Sequence, residues 1–193
     1  VGKFTSDFGY YNKKHNSSYN YSGMPIIYQV RLGDHGINEK VVQLQYVLPL
    51  PHYAMIGVEA LRGENEQSFG ESAINAIGYF EGVDEVSQPG LWVGYIKSSV
   101  DIGGGTLLSG VSIAKGKSRI DHLEDEEEAH AFASDTTIYG VDMTYKYYFA
   151  ADHAFSWQSE YLHRNKDGTK YTLAGIEDDS FKKEQAGFYS EVV

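Results

Sequence analysis

The sequence predicts an all-β fold: an antiparallel transmembrane β-barrel, with about eight strands present as part of a larger barrel. Three observations carry the prediction. Apolar and polar residues alternate with period two in segment after segment, the mark of strands with unlike faces. Tight turns alternate with long polar connections, so that all the short turns lie at one end of the sheet and all the long loops at the other. There is also no run of eighteen apolar residues, which excludes a transmembrane helix and leaves strand crossing open.

Strands are expected over 1–9, 40–49, 53–62, 91–100, 105–115, 136–149, 154–164 and 185–193. In "KVVQLQYVLP", Val42, Leu44, Tyr46 and Leu48 oppose Val41, Gln43, Gln45 and Val47. In "YAMIGVEAL", Ala54, Ile56, Val58 and Ala60 oppose Tyr53, Met55, Gly57 and Glu59. "LWVGYIKSSV" alternates less cleanly, and Leu91, Val93 and Tyr95 are expected to point outward. The stretch "TTIYGVDMTYKYYFAADHAFSWQSEYL" is the clearest hairpin. Tyr139, Val141, Met143, Tyr145, Tyr147 and Phe149 share a face going in, and Phe155, Trp157, Ser159 and Tyr161 share one coming back. The turns are "LPLPH" at 48–52, "DIGGG" at 101–105 and "AADH" at 150–153; the long connections are 10–39, 63–90, 116–135 and 165–184. Within 69–83, Ile74 and Ile77 suggest a short helix tucked into a loop.

In a barrel the oily face meets lipid, because unpaired backbone in hydrocarbon is tolerated only when a closed sheet pairs it. Tyr139, Val141, Met143, Tyr145, Tyr147, Phe149, Phe155, Trp157 and Tyr161 are therefore the expected lipid-facing and girdle residues. Gln43, Gln45, Glu59, Asp142, Lys146, Glu160 and Arg164 are the expected lumen-facing set. Charged rings in a pore set ion preference; the plainer reading is that Lys146 and Glu160 pair across strands to stiffen the wall. A soluble sandwich gives the same periodicity, with Val141, Met143 and Trp157 packed together in a dry core.

Composition agrees with strands and turns: 16 Tyr, 21 Gly and few Pro. A net charge of −11 excludes nucleic-acid binding by phosphate neutralisation. No cysteine is present, so there is neither a disulfide nor a thiolate metal site. The chain starts at "VGKF" and stops at "GFYSEVV", each inside an expected strand, as an excised piece of a longer protein does.

For chemistry, the acidic segment "RIDHLEDEEEAHAFASD" at 119–135 stands out. If its middle is helical, His122, Glu126 and His130 fall at i, i+4 and i+8 on one face, with Asp125 or Glu127 as a further ligand. Two imidazoles and a carboxylate suit zinc; the oxygens alone suit calcium or magnesium. The plain reading is a solvated acidic surface. His15 and the Asp34–His35 pair look like loop chemistry, and His52 and His153 carry no assigned role. No GxSxG, HExxH, Walker or dinucleotide motif occurs, so no enzyme is expected.

The opening "VGKFTSDFGYYNKKH", the element from Pro25 to Glu39 and "LPLPHYAMIGVEALRGENEQSFG" resemble one family. It comprises the proteobacterial outer-membrane β-barrels known as zinc-regulated, TonB-dependent outer-membrane receptors or porin-like proteins. "GVDMTYKY" at 140–147 and "QSEYL" at 158–162 agree in organisation. The resemblance implies the outer membrane of a Gram-negative bacterium as location. It implies outer-membrane lipid and lipopolysaccharide as surroundings, with an energy-coupling inner-membrane complex as partner if the receptor label applies. The expected domain is a single partial barrel over 1–193 with no separate plug visible. The expected function is passage or uptake of small polar solutes or metal ions, with a link to zinc. The alternative is a non-transporting adhesion module whose acidic loops engage divalent metal, lipopolysaccharide or a host surface.

Overall fold

A computed structural model describes residues 1–14, 19–20, 23–65, 67–72, 83, 86–122, 129–150, 153–172 and 177–193. The chain folds as β1 (Gly2–Thr5), α1 (Ile26–Leu32), β2 (Asn38–Val47), β3 (Tyr53–Leu61), β4 (Gly70–Ser72) and β5 (Leu91–Ile102). Then follow β6 (Gly105–His122), β7 (His130–Ala150), β8 (His153–Thr172) and β9 (Glu177–Val192). All belong to one sheet in the order β1-β2-β3-β5-β6-β7-β8-β9. Every pairing along that path is antiparallel, and only β4 lies parallel, against β6. The fold is all-β, as the alternation predicts. Among the described residues β1 and β9 each pair on one side only, so the sheet is open.

The short turns fall where the sequence puts them. Between β5 and β6, Ile102 pairs with Gly105 across Gly103 and Gly104, whose φ angles are 60° and 82°. A two-residue hairpin matched to strand twist needs both central residues at positive φ, which is why glycines stand there.

Two of the long connections are corrected. The stretches 116–135 and 165–184 are mostly strand: β6 runs to His122 opposite His130, and β8 runs to Thr172 with β9 starting at Glu177. Ser118, Arg119, Asp135, Asn165 and Asp167 give no apolar alternation there, yet ladder hydrogen bonds need none. An unbroken register from Gly105↔Tyr147 to His122↔His130 carries the hairpin outward. At the other end of the chain, β1 stops at Thr5 and the following residues leave the sheet. Of the helix expected within 69–83, the residues 73–82 lie outside the described ones, while Gly70–Ser72 is strand.

One face of the sheet is covered by its own chain. Between β1 and β2, residues 6–14 and 23–37 lie across it, burying Phe8, Tyr11, Tyr28, Leu32 and Ile37 against Leu61, Leu91, Val93, Ile138 and Leu162. Helix α1 follows Pro25, buries Ile27, Tyr28, Arg31 and Leu32, and ends at Gly33, whose N–H donates to Gln29 O at 3.0 Å with φ of 69°.

Leu91, Val93 and Tyr95 are also corrected: they point to this covered inner face, and Trp92 and Ile96 point away. In "LWVGYI" both faces are apolar, so period two cannot choose. The register settles it, placing Val93 beside Glu59 and Tyr95 beside Gly57.

The uncovered outer face is oily. Leu44 is 70% exposed, Val141 54% and Phe188 75%, with Trp157 and Tyr161 also on the surface. No dry core locks Val141, Met143 and Trp157 together, as a sandwich requires.

Candidate functional site

The inner face carries its polar side chains in three groups along the sheet. The first centres on Asp7, just past β1. Its carboxylate accepts from Lys13 Nζ at 2.6 Å, Gln43 Nε2 at 2.9 Å and Gln45 Nε2 at 2.8 Å. Glu59 lies beside it, accepting from Ser6 Oγ (2.5 Å), the Asp7 N–H (2.9 Å) and Gln43 Nε2 (2.7 Å). The Tyr95 hydroxyl accepts from Gln45 at 2.7 Å. Burial pushes the Asp7 carboxyl up, but the Lys13 hydrogen bond and the Lys97 and Lys13 charges outweigh it and leave Asp7 below its ordinary value.

The second group surrounds Glu160 on β8. Tyr28 Oη of α1 donates to Oε1 at 2.5 Å, the Tyr10 N–H at 3.1 Å, and Tyr189 Oη of β9 donates to Oε2 at 3.1 Å. Burial and the neighbouring carboxylate hold the Tyr28 phenol well above its usual value, so it remains a donor. Lys14 spans Gln158 at 3.1 Å and Glu191 at 3.8 Å. Asp142 stands directly opposite Glu160 in the register, and its Oδ2 is buried without a hydrogen-bond partner among the described residues. Like charges in facing positions repel.

The third group is basic and lies toward the long-hairpin end. Arg164 is held by Gln185 Oε1, Ser68 Oγ (2.8 Å) and Gln67 O (3.2 Å). Lys166 reaches Gln67 O at 3.3 Å.

Of the residues picked from sequence, Gln43, Gln45, Glu59, Asp142, Glu160 and Arg164 all lie on this face. Lys146 is on the same side but exposed near the turn, its Nζ 4.9 Å from the centroid of the Tyr148 ring. The expected pairing of Lys146 with Glu160 is corrected: Lys146 faces Ser156, and Glu160 faces Asp142. Tyr139, Val141, Met143, Tyr145, Tyr147, Phe155, Trp157 and Tyr161 take the other face, and Phe149 is exposed at the register shift between Tyr148 and Ala150.

His122 and His130 do come together, but not on a helix. They are cross-strand partners where β6 meets β7, rings stacked with centroids 5.0 Å apart and Phe132 edge-on to both. Asp125, Glu126 and Glu127 lie outside the described residues, as does His15. Among the described residues no group of three metal-ligating side chains forms. Sequence reasoning missed Asp7, Tyr28, Arg31 and Tyr189. The available signal was the set Tyr11, Ile27, Tyr28, Leu32 and Ile37, apolar residues in a connection read as polar loop, with Phe8 just before it in the expected strand 1–9.

No family model matches the chain, and no solved structure does. An uncharacterized protein of Aquifex aeolicus (strain VF5) is 44% identical over 193 residues, the whole of this chain. The chain spans 40% of that relative's length.

Proposed function

We propose that this sheet is a stretch of wall from an outer-membrane β-barrel that passes small polar solutes or ions, with residues 6–14 and 23–37 inside as its constriction. The reversed burial carries the reading. Glu59, Asp142 and Glu160 are buried while Leu44, Val141 and Phe188 are bare, and only a non-aqueous surrounding makes the bare face favourable. From Tyr139 to Phe149 the oily face runs ~33 Å along the strand at ~3.3 Å per residue. A tilt of about 40° reduces that to ~25 Å, the height of an outer-membrane apolar band. Beyond it the same face turns polar, with Lys115, Lys117, Asp135, Asn165 and Asp167 around one open pocket. Toward the short turn stand Tyr147, Tyr148, Phe149, Phe155 and Trp157, a composition suited to a membrane interface. The remaining strands needed for closure belong, in this reading, to a longer protein, consistent with the 40% coverage of the relative.

Conductance of the full-length protein in planar bilayers tests this. Stable currents and extraction only by detergent are the expected results; full solubility without detergent overturns the reading. One observation favours a second reading, a non-conducting binding module: the apolar packing of Phe8, Tyr11 and Tyr28 over the inner face narrows any passage there. Detergent-dependent extraction with silent bilayers supports that module or a plugged, energy-coupled receptor. The zinc link rests on the family resemblance and the His122–His130 pair. Calorimetry with zinc, wild type against His122→Ala/His130→Ala, is expected to show heat lost in the double variant; equal heats end the zinc proposal.

A further inference from the structure

Arg31, Arg164 and Lys166 are buried on the inner face, exposed to only 5%, 5% and 9%. None of them is ion-paired to a carboxylate among the described residues. Among the described residues every hydrogen bond of Arg164 goes to a neutral oxygen: Gln185 Oε1, Gln67 O, Ser68 Oγ and, at 3.5 Å, Arg31 O. Lys166 finds only Gln67 O among the described residues. Among the described residues Arg31 gives one hydrogen bond, to Ile27 O at 3.3 Å, and its Nε is buried without a hydrogen-bond partner.

These cations also lie beside one another. The Arg31 guanidinium rests against Gly187, where an added Cβ would come within 3.3 Å of Nη2. Gly187 is two residues along β9 from Gln185, which grips Arg164. Lys166 faces Lys183 directly in the β8–β9 register, and like charges in that position repel. The C-terminal turn of α1 presents a partial negative charge to Arg31. That offsets part of one cation, not the group. Buried charge without a counter-charge is costly, and proteins ordinarily neutralise it with a carboxylate or a ligand.

We infer that Arg31, Arg164 and Lys166, with Lys183 at the rim, form an anion-binding site on the inner face for a phosphate-type oxyanion. A multiply charged tetrahedral anion balances several cations at once and presents oxygens to guanidinium forks and an ammonium together. A singly charged chloride matches neither the charge nor the donor count. The site deepens the pore reading by naming a solute class, and rests on it only for that role; the binding itself needs the fold alone.

The test uses the full-length protein in detergent, titrated with inorganic phosphate in a calorimeter, with chloride and acetate at matched ionic strength as controls. Wild type is expected to bind phosphate in preference to both. Lys166→Gln and Lys183→Gln, the changes nearest the rim, are each expected to weaken it about tenfold, the usual loss for one charge-assisted hydrogen bond. Arg164→Gln is expected to weaken it further. Unchanged affinity in the lysine variants, or no preference over chloride, overturns the site. Glu66, outside the described residues, precedes Gln67; phosphate binding by Glu66→Gln but not by wild type overturns the site as well, since the counter-charge is then internal. Phosphate binding with silent bilayers leaves the site and removes the pore, and currents without phosphate binding do the reverse.

Discussion

At the residue scale, Glu160 shows what the inner face asks of a side chain. Three donors converge on its oxygens, from Tyr28, Tyr10 and Tyr189. Truncating it to Ala strands all of them where water is scarce, and each buried orphan costs about 1–3 kcal/mol. Glu160→Ala is therefore expected to lower thermal stability in detergent by several degrees. Glu160→Gln, which keeps an acceptor oxygen and the shape, is expected to lower it much less. Equal losses in a melting experiment refute the hydrogen-bond account. Asp7 adds a pH dependence. Its folded pKa lies below its ordinary value, so its contribution is complete above that ordinary value and disappears as pH falls through the depressed one. Amide exchange of residues 8–14 is expected to quicken below about pH 4 in wild type, Asp having an ordinary pKa of about 3.9. In Asp7→Asn the exchange is faster throughout, with that step missing. A step of equal size in both proteins assigns it to another carboxyl.

At the element scale, β3 and β5 meet the inner segment through a space that only glycine leaves. A Cβ on Gly57 would lie 2.2 Å from the Tyr95 ring, which crosses that position to bring its hydroxyl to Gln43 and Gln45. Gly57→Val is expected to displace Tyr95, loosen the Asp7 group and cost about 1–3 kcal/mol, the usual penalty of overpacking. Val58→Thr, on the bare face of the same strand, is the control expected to leave proteolysis of residues 6–37 unchanged; equal cleavage of both variants rejects the role given to Gly57. This element also marks what the sequence could and could not reveal. Period two is a property of a single strand, so Val42, Leu44, Ile56, Val58, Val141 and Tyr161 were legible without any tertiary knowledge. Leu91, Val93 and Tyr95 were not, because "LWVGYI" is apolar on both sides and only pairing with Glu59 and Gly57 orients it. The extensions of β6 to β9 were hidden for a related reason: polar strands held by their ladders leave no hydrophobic trace. Arg31 and Tyr28 join the site through a long connection, and contacts made across 133 residues, such as Arg164 with Arg31, have no local signature.

At the scale of the whole molecule, the proposed barrel puts opposite surroundings on the two faces, and a single substitution on the bare side tests it. Val141 is 54% exposed inside the oily band, between Tyr139 and Met143. In water, an exposed Val→Arg change on a strand face costs within about 0.5 kcal/mol and improves solubility. In lipid the same arginine must carry its charge into hydrocarbon, at a cost of about 2–4 kcal/mol at the midplane that falls to about 0–1 near the interfaces. Val141→Arg in the full-length protein is therefore expected to reduce folding yield and stability in phospholipid vesicles sharply. Phe149→Arg, at the short-turn end of that band, is expected to do so only slightly. Urea titrations of both variants in vesicles read the difference. A graded loss with depth follows from a lipid-facing band, whereas indifference to arginine at both positions places water on that face and removes the barrel, the pore and the membrane location together.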